Sequence, residues 1–225
     1  MKTQEKNFDG IKLSGFTAIL IMLALTGTAI YLLSLPQTPS IIAGVICGIC
    51  VVVMLPGFMI IQPNNSRVLT FFGRYAGTVI SNGFYWVNPL FLKSTVTLRI
   101  LNLNIDPIKV NDKVGNPIMI GAVVVWRIKD TYKASFDISG NIREFVQIQS
   151  DAALRQVAGM YAYDTNETID KVTLRSDESG EITQRLEDEL NSRLAIAGIE
   201  IVEARINYLA YASEIASVML RRQQA

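Results

Sequence analysis

From Leu13 to Ser66 the chain carries no Asp, Glu, Lys or Arg. A stretch of that kind cannot supply the solvated faces that amphipathic helices and half-buried strands need in water. It is divided by two prolines. The first run, SGFTAILIMLALTGTAIYLLSL (Ser14–Leu35), has 22 residues. As a helix it reaches about 33 Å, enough for a hydrocarbon core of about 30 Å. It is too long, and lacks a small-residue cleavage pattern, to read as a removable signal peptide.

PQTPS (Pro36–Ser40) then forms a tight connection, with two prolines stopping the helix. The second run starts at Ile41. Ending it at Leu55 gives about 22 Å, too short for a span, whereas continuing to Ile61 gives about 31 Å and places Pro56 inside the helix. Either way the expectation is an antiparallel membrane hairpin over 14–61, with helices at about 14–35 and 41–58, after a short charged tail at 1–13. Lys2, Lys6 and Lys12 precede the hairpin, Arg67 and Arg74 follow it, and the loop has no basic residue. The positive-inside rule then places the tail and the soluble part in the cytoplasm.

LPGFMIIQPNN (Leu55–Asn65) is where the apolar run passes into soluble chain. Pro56 and Gly57 are expected to bend the chain at the membrane surface, with Phe58, Met59 and Ile60 dipping into the interface. Cys47 and Cys50 form C-x-x-C inside IIAGVICGICVVVML, with no second pair and no polar neighbour. They read as small apolar residues of a helix, with palmitoylation as the alternative if they lie near a membrane surface.

Beyond Arg67 the pattern changes to strands. RVLTFFG and GTVI are rich in β-formers, with RYA between them, and NGFYWVNP opens on a turn pair. STVTLRI alternates, and its phase then slips so that Leu101, Leu103 and Ile105 become the apolar set. Such a slip marks a bulge or a strand break. DPIKV and IMIGAVVVWRI flank NDKVGNP as a hairpin, and the second arm is apolar on both faces up to Arg127, which calls for cover by helices or neighbouring subunits.

Helical spacing follows in NIREFVQIQSDAALRQVAGMY, with Asn141 as N-cap and Glu144 in the first turn. A second helix lies in DESGEITQRLEDELNSRLAIAG, with Ser176 as its start signal and Gly198 as its stop. Its stripe of Ile182, Leu186, Leu190 and Leu194 packs either on the local sheet or between subunits. IEIVEARINYLAY returns to strand period, and SEIASVMLRRQQA opens a helix that reads as continuing in a longer protein. Leu186, Leu190, Leu194, Met219 and Leu220 are the residues assigned to a subunit interface. The fold class is α+β, antiparallel strands followed by helices.

The sequence has no histidine, so the commonest general base and metal ligand are missing. No nucleophile elbow, phosphate-binding loop, metalloprotease or dinucleotide motif occurs. Glu187, Asp188 and Glu189 are consecutive and point to different sides of a helix, so they read as a solvated face. A dyad of Ser176 with Lys171 has no geometric support at that spacing. Trp86 and Trp126 read as packing residues. The net charge is +1, and the part from Arg67 onward balances to zero, so nothing favours nucleic acid. No catalytic, cofactor or metal residue is assigned.

PGF, QPNNSRVLTFFGRYAGT (Gln62–Thr78), GFYWVNP (Gly83–Pro89), VNDKVGNPI (Val110–Ile118), VVVWRIKD (Val123–Asp130), QSDAALRQVA (Gln149–Ala158) and LAYASEIASVMLRRQQA (Leu209–Ala225) occur in order. Together they resemble bacterial members of the stomatin/prohibitin/flotillin group, the SPFH or band 7 proteins. The resemblance implies an SPFH domain over 62–212, followed by the start of a C-terminal helix at 213–225. It also implies a non-enzymatic, membrane-anchored scaffold that forms large homo-oligomers. Such a scaffold organises membrane microdomains and regulates membrane proteins or proteases, with membrane lipids and an NfeD-type protein as partners. The family usually continues into a long helical region not present here, and Ser213 stands where similar proteins often carry Pro. A lipid-sensing adaptor and a membrane-associated hydrolase are the rival expectations.

Overall fold

The computed structural model describes residues 5–164, 172–176 and 180–215. The chain divides into two compact units, Met1–Leu98 and Arg99–Ala225.

The first unit begins with a short strand, β1 (Lys12–Ser14), that runs straight into α1 (Gly15–Ser34). After Leu35, Pro36 and Gln37 the chain enters α2 (Thr38–Met54). The connection is therefore shorter than PQTPS. Pro39 sits in the first turn of α2, where its missing N–H costs nothing, so it starts the helix instead of delaying it. Both helices are apolar and nearly naked. With a 3₁₀ turn at Leu55–Gly57 appended to α2, they have mean hydropathies of 2.2 and 2.4, and only 11% of each is buried. A core helix of a water-soluble protein would be mostly buried, so the length, hydropathy and exposure together fit a pair of helices that meets lipid.

The helices touch each other through small residues. A Cβ on Gly44 would lie 2.8 Å from the Leu33 side chain and 3.2 Å from the Ala29 carbonyl, the close approach that apolar helices use when packing alone must hold them. Thr17, Thr26, Thr28 and Ser34 donate their hydroxyls to carbonyls three or four residues earlier, so they present little unpaired polarity.

Five strands complete the unit: β2 (Phe58–Ile61), β3 (Asn65–Phe71), β4 (Arg74–Val79), β5 (Gly83–Val87) and β6 (Phe91–Thr97). They form two antiparallel sheets of order β1-β5-β2 and β4-β3-β6 around Met59, Ile61, Leu69, Val79 and Val87. The β3–β4 turn is Phe72-Gly73, not the RYA expected from composition. Both residues have positive φ (46° and 79°), the geometry of a two-residue hairpin turn. Within the short charged tail, Lys6 and Phe8 are docked on β4. Lys6 accepts from the Thr78 amide, Phe8 donates to the Thr78 carbonyl, and Phe8 packs edge-on against Phe91.

The second unit is built on the antiparallel sheet β7-β8-β9, from β7 (Leu101–Asn111), β8 (Pro117–Ile128) and β9 (Ile199–Tyr211). The phase slip near Leu101 is a strand break, since β6 ends at Thr97. A separate register shift falls between Ile105 and Ile108, where Pro107 has no amide for the ladder. Three helices follow: α3 (Thr131–Phe136), α4 (Ile142–Ala158) and α5 (Glu181–Leu194). Asn141 caps α4 as expected, accepting from the Arg143 amide at 2.9 Å. Ser176 does not cap α5. It pairs with Thr173, while α5 starts at Glu181 after Gly180 in the left-handed region. Gly198, also left-handed, ends the turn that follows α5.

Helix α4 covers β7 and β8, and α5 covers β9. They cover one face only. Ile118, Ile120, Val124 and Trp126 of β8 are buried, whereas Met119, Val123 and Val125 on the opposite face stay half-exposed. The expectation of cover on both faces is thus met on one. The α5 stripe is consumed inside the chain: Ile182, Leu186, Leu190 and Leu194 are all at most 1% exposed. Leu186, Leu190 and Leu194 therefore leave no surface for a second copy, and their assignment to a subunit interface gives way to intrachain packing. Met219 and Leu220 lie outside the described residues, as does Lys171.

Candidate functional site: the foot of the helix pair

Pro56 has no N–H and terminates α2, after which the Leu55–Gly57 turn hands the chain to β2. The carbonyls at such an end have no helical partners. Here two side chains from elsewhere supply them. The Trp86 indole donates to the Met54 carbonyl at 2.9 Å, and the Lys93 ammonium donates to the carbonyls of Pro56 and Phe58. A cation at a helix C-terminus also opposes the negative end of the helix dipole.

The same residues close the hairpin. Strand β5 pairs with β1 on one edge, Leu13 opposite Trp86, and with β2 on the other, Phe58 opposite Trp86. The chain entering α1 and the chain leaving α2 are thus hydrogen-bonded to one strand, which fixes both helix ends on one side. Aromatic contacts fill the joint. Phe84 stacks on Phe58 (5.5 Å, 16°) and meets Phe16 of α1 edge-on, also at 5.5 Å. Lys12 lies over the Tyr85 ring, 4.7 Å from its centroid, and donates to Ser81.

The residues assigned to the membrane interface separate into two sets. Pro56 and Ile60 are exposed and Phe58 is half-buried, but Gly57 and Met59 are buried. Met59 belongs to the core with Leu69 and Val87, because successive strand residues alternate faces. Gly57 is held against Trp86, where a Cβ would lie 2.3 Å from the indole nitrogen. Cys47 and Cys50 are free and lie within the second half of α2.

A cleft of about 430 Å³ opens beside the joint, lined by Pro56, Phe58, Ile60, Phe84, Arg67 and Lys93. Burial, and secondarily the nearby Arg67 guanidinium, push the Lys93 ammonium below the ordinary lysine range. The surrounding unit is basic. Its sequence contains Lys2, Lys6, Lys12, Arg67, Arg74 and Lys93 but only two acids, Glu5 and Asp9. Sequence reasoning missed this cleft although one signal was present: no Asp or Glu occurs between Asp9 and Asp106.

In the second unit, the three consecutive acids of α5 are engaged one by one. Glu187 accepts from the Ala204 amide of β9, Asp188 from Gln184, and Glu189 from Arg193. Glu187 is therefore a bridge to the strand and not part of a solvated face. Together with Asn191, which accepts from the Ile201 amide, it satisfies amides on the edge of β9 that no strand pairs. No group of three or more His, Cys, Asp or Glu able to hold a metal occurs among the described residues.

The family model of the SPFH domain / Band 7 family matches residues 59–225. The chain belongs to that family. The match begins at Met59, within the first strand after the helix pair, so the SPFH domain starts at the joint itself. No curated protein compared with the chain matches it.

Proposed function

We propose that this SPFH protein is a membrane-anchored homo-oligomeric scaffold that organises membrane microdomains and regulates membrane proteins or proteases. The carrying observation is the β1-β5-β2 sheet, which binds both ends of the apolar helix pair to the foot of the SPFH domain. A flexible tether would serve a soluble enzyme equally well. A stitched joint suits a protein whose role is to hold position against the bilayer. The half-exposed Met119, Val123 and Val125 on the uncovered face of β8 supply an apolar strip that favours self-association.

The basic flanks of the helix pair favour a cytoplasmic domain. Membrane lipids, further copies of the chain, and an NfeD-type protein or membrane protease are the partners this role calls for. Cross-linking in native membranes followed by mass spectrometry tests the proposal. Links joining the same residue of two copies support it, and a complete set of links confined to one copy contradicts it.

A further inference from the structure

The cleft at the joint holds two cations and no anion. In the β3–β6 ladder Arg67 stands opposite Thr95 and Lys93 opposite Leu69, so the two cations are diagonal neighbours on one face, at a typical spacing of about 7–8 Å. Neither has a carboxylate partner among the described residues. The Arg67 Nε is buried without a hydrogen bond, and a terminal nitrogen reaches only the Ile60 carbonyl, at 3.5 Å. Lys93 is bonded to neutral carbonyls alone. Bringing like charges together away from bulk water is unfavourable, and an anion shared between them removes that cost.

The cleft's position identifies the anion. One wall is Pro56 and Phe58, just beyond the end of α2; another is Phe84, which packs on Phe16 at the start of α1. The opening therefore lies where both apolar helices end, the level of the headgroups if the helices cross a bilayer. Apolar walls suit the glycerol and upper acyl region of a lipid, and Arg67 offers donors suited to a phosphodiester. Beyond Arg67 a second cleft of about 360 Å³ adds Gln62, Asn65 and Thr95, all neutral. A zwitterionic headgroup would bring its own cation to a site with no carboxylate to receive it.

We propose that Arg67 and Lys93 form a site for the phosphate of a phospholipid with net negative charge. The proposal rests on the membrane-anchored reading above. The full chain is reconstituted into phosphatidylcholine vesicles carrying spin-labelled phosphatidylglycerol or spin-labelled phosphatidylcholine, and the relative association of the two labels is measured. The wild-type chain should prefer phosphatidylglycerol, and Arg67→Gln should lower that preference about fivefold, the usual weight of one basic residue near a membrane surface. Arg74→Gln removes an exposed charge from the same unit outside the cleft and should leave the preference within twofold. Lys93→Gln also removes a helix-end bond, so Arg67→Gln decides. Equal preference in wild type and Arg67→Gln overturns the site. So does Arg67-dependent binding of inorganic phosphate without any preference for phosphatidylglycerol, which would mark a soluble anion site. Particle mass measured on the same samples keeps the two readings apart. A monomer with intact lipid preference contradicts the scaffold, and an oligomer without it contradicts the site.

Discussion

Gly57→Ala should loosen the joint between membrane and domain. The added methyl would lie 2.3 Å from Trp86 Nε1, 2.6 Å from Trp86 Cε2 and 2.6 Å from the Val87 carbonyl, so something must move by about 1 Å to reach ordinary contact distances of about 3.5–4.0 Å. The indole cannot swing freely because its nitrogen donates to the Met54 carbonyl at 2.9 Å. Overpacking costs about 1–3 kcal/mol, and losing the indole bond adds about 1 kcal/mol. The sum, roughly 2–4 kcal/mol, should raise amide exchange across β5 and β2 by about 30- to 1,000-fold where exchange follows local opening. Hydrogen exchange by mass spectrometry on the detergent-solubilised chain reads this, with β7 and β8 as internal standard. Unchanged protection at Phe84–Val87 would refute the reasoning that Gly57 is there to admit the Trp86 ring.

Four further outcomes are expected. Leu190→Ala should destabilise the second unit by about 2–5 kcal/mol in denaturant unfolding while leaving particle mass unchanged below the transition, because the side chain is fully buried within its own chain. Phe72→Asn should stabilise the β3–β4 hairpin by about 1 kcal/mol, since Phe72 holds φ of 46° where Asn is far better tolerated; a lower melting temperature would contradict this. Hydrogen bonds from Lys129 and then Arg127 hold Glu200 below the ordinary glutamate range. Its contribution is therefore present above that range and lost as pH falls through the lowered value, so Glu200→Gln should flatten the acid limb of stability against pH. Finally, with Cys47 and Cys50 replaced by serine, single cysteines at positions 5 and 74 should react with an impermeant maleimide from the same face of the membrane; reaction from opposite faces would break the hairpin account.

The helix pair and much of the second unit were legible in sequence for physical reasons. Absence of charge marks the helices, while alternation through Leu101, Leu103 and Ile105, a Gly/Asn/Pro turn and the apolar run that follows it mark β7 and β8. Asn141 and Gly198 announce helix ends because capping and left-handed geometry are local. What sequence did not reveal depends on distant pairing. Lys12–Ser14 is too short to show a period and becomes a strand only because β5 accepts it. Met59 looked like an interfacial residue by hydrophobicity, but strand alternation turns it inward. Arg67 and Lys93 are unremarkable until the β3–β6 register places them on one face. Ser176 carried a valid capping signal, yet α5 begins five residues later, after Gly180.

The scaffold account stands most directly on assembly. The mass of the full-length protein, extracted in mild detergent and measured across a wide concentration range, should show a large homo-oligomer that persists on dilution. A particle that remains a monomer at every concentration would contradict it.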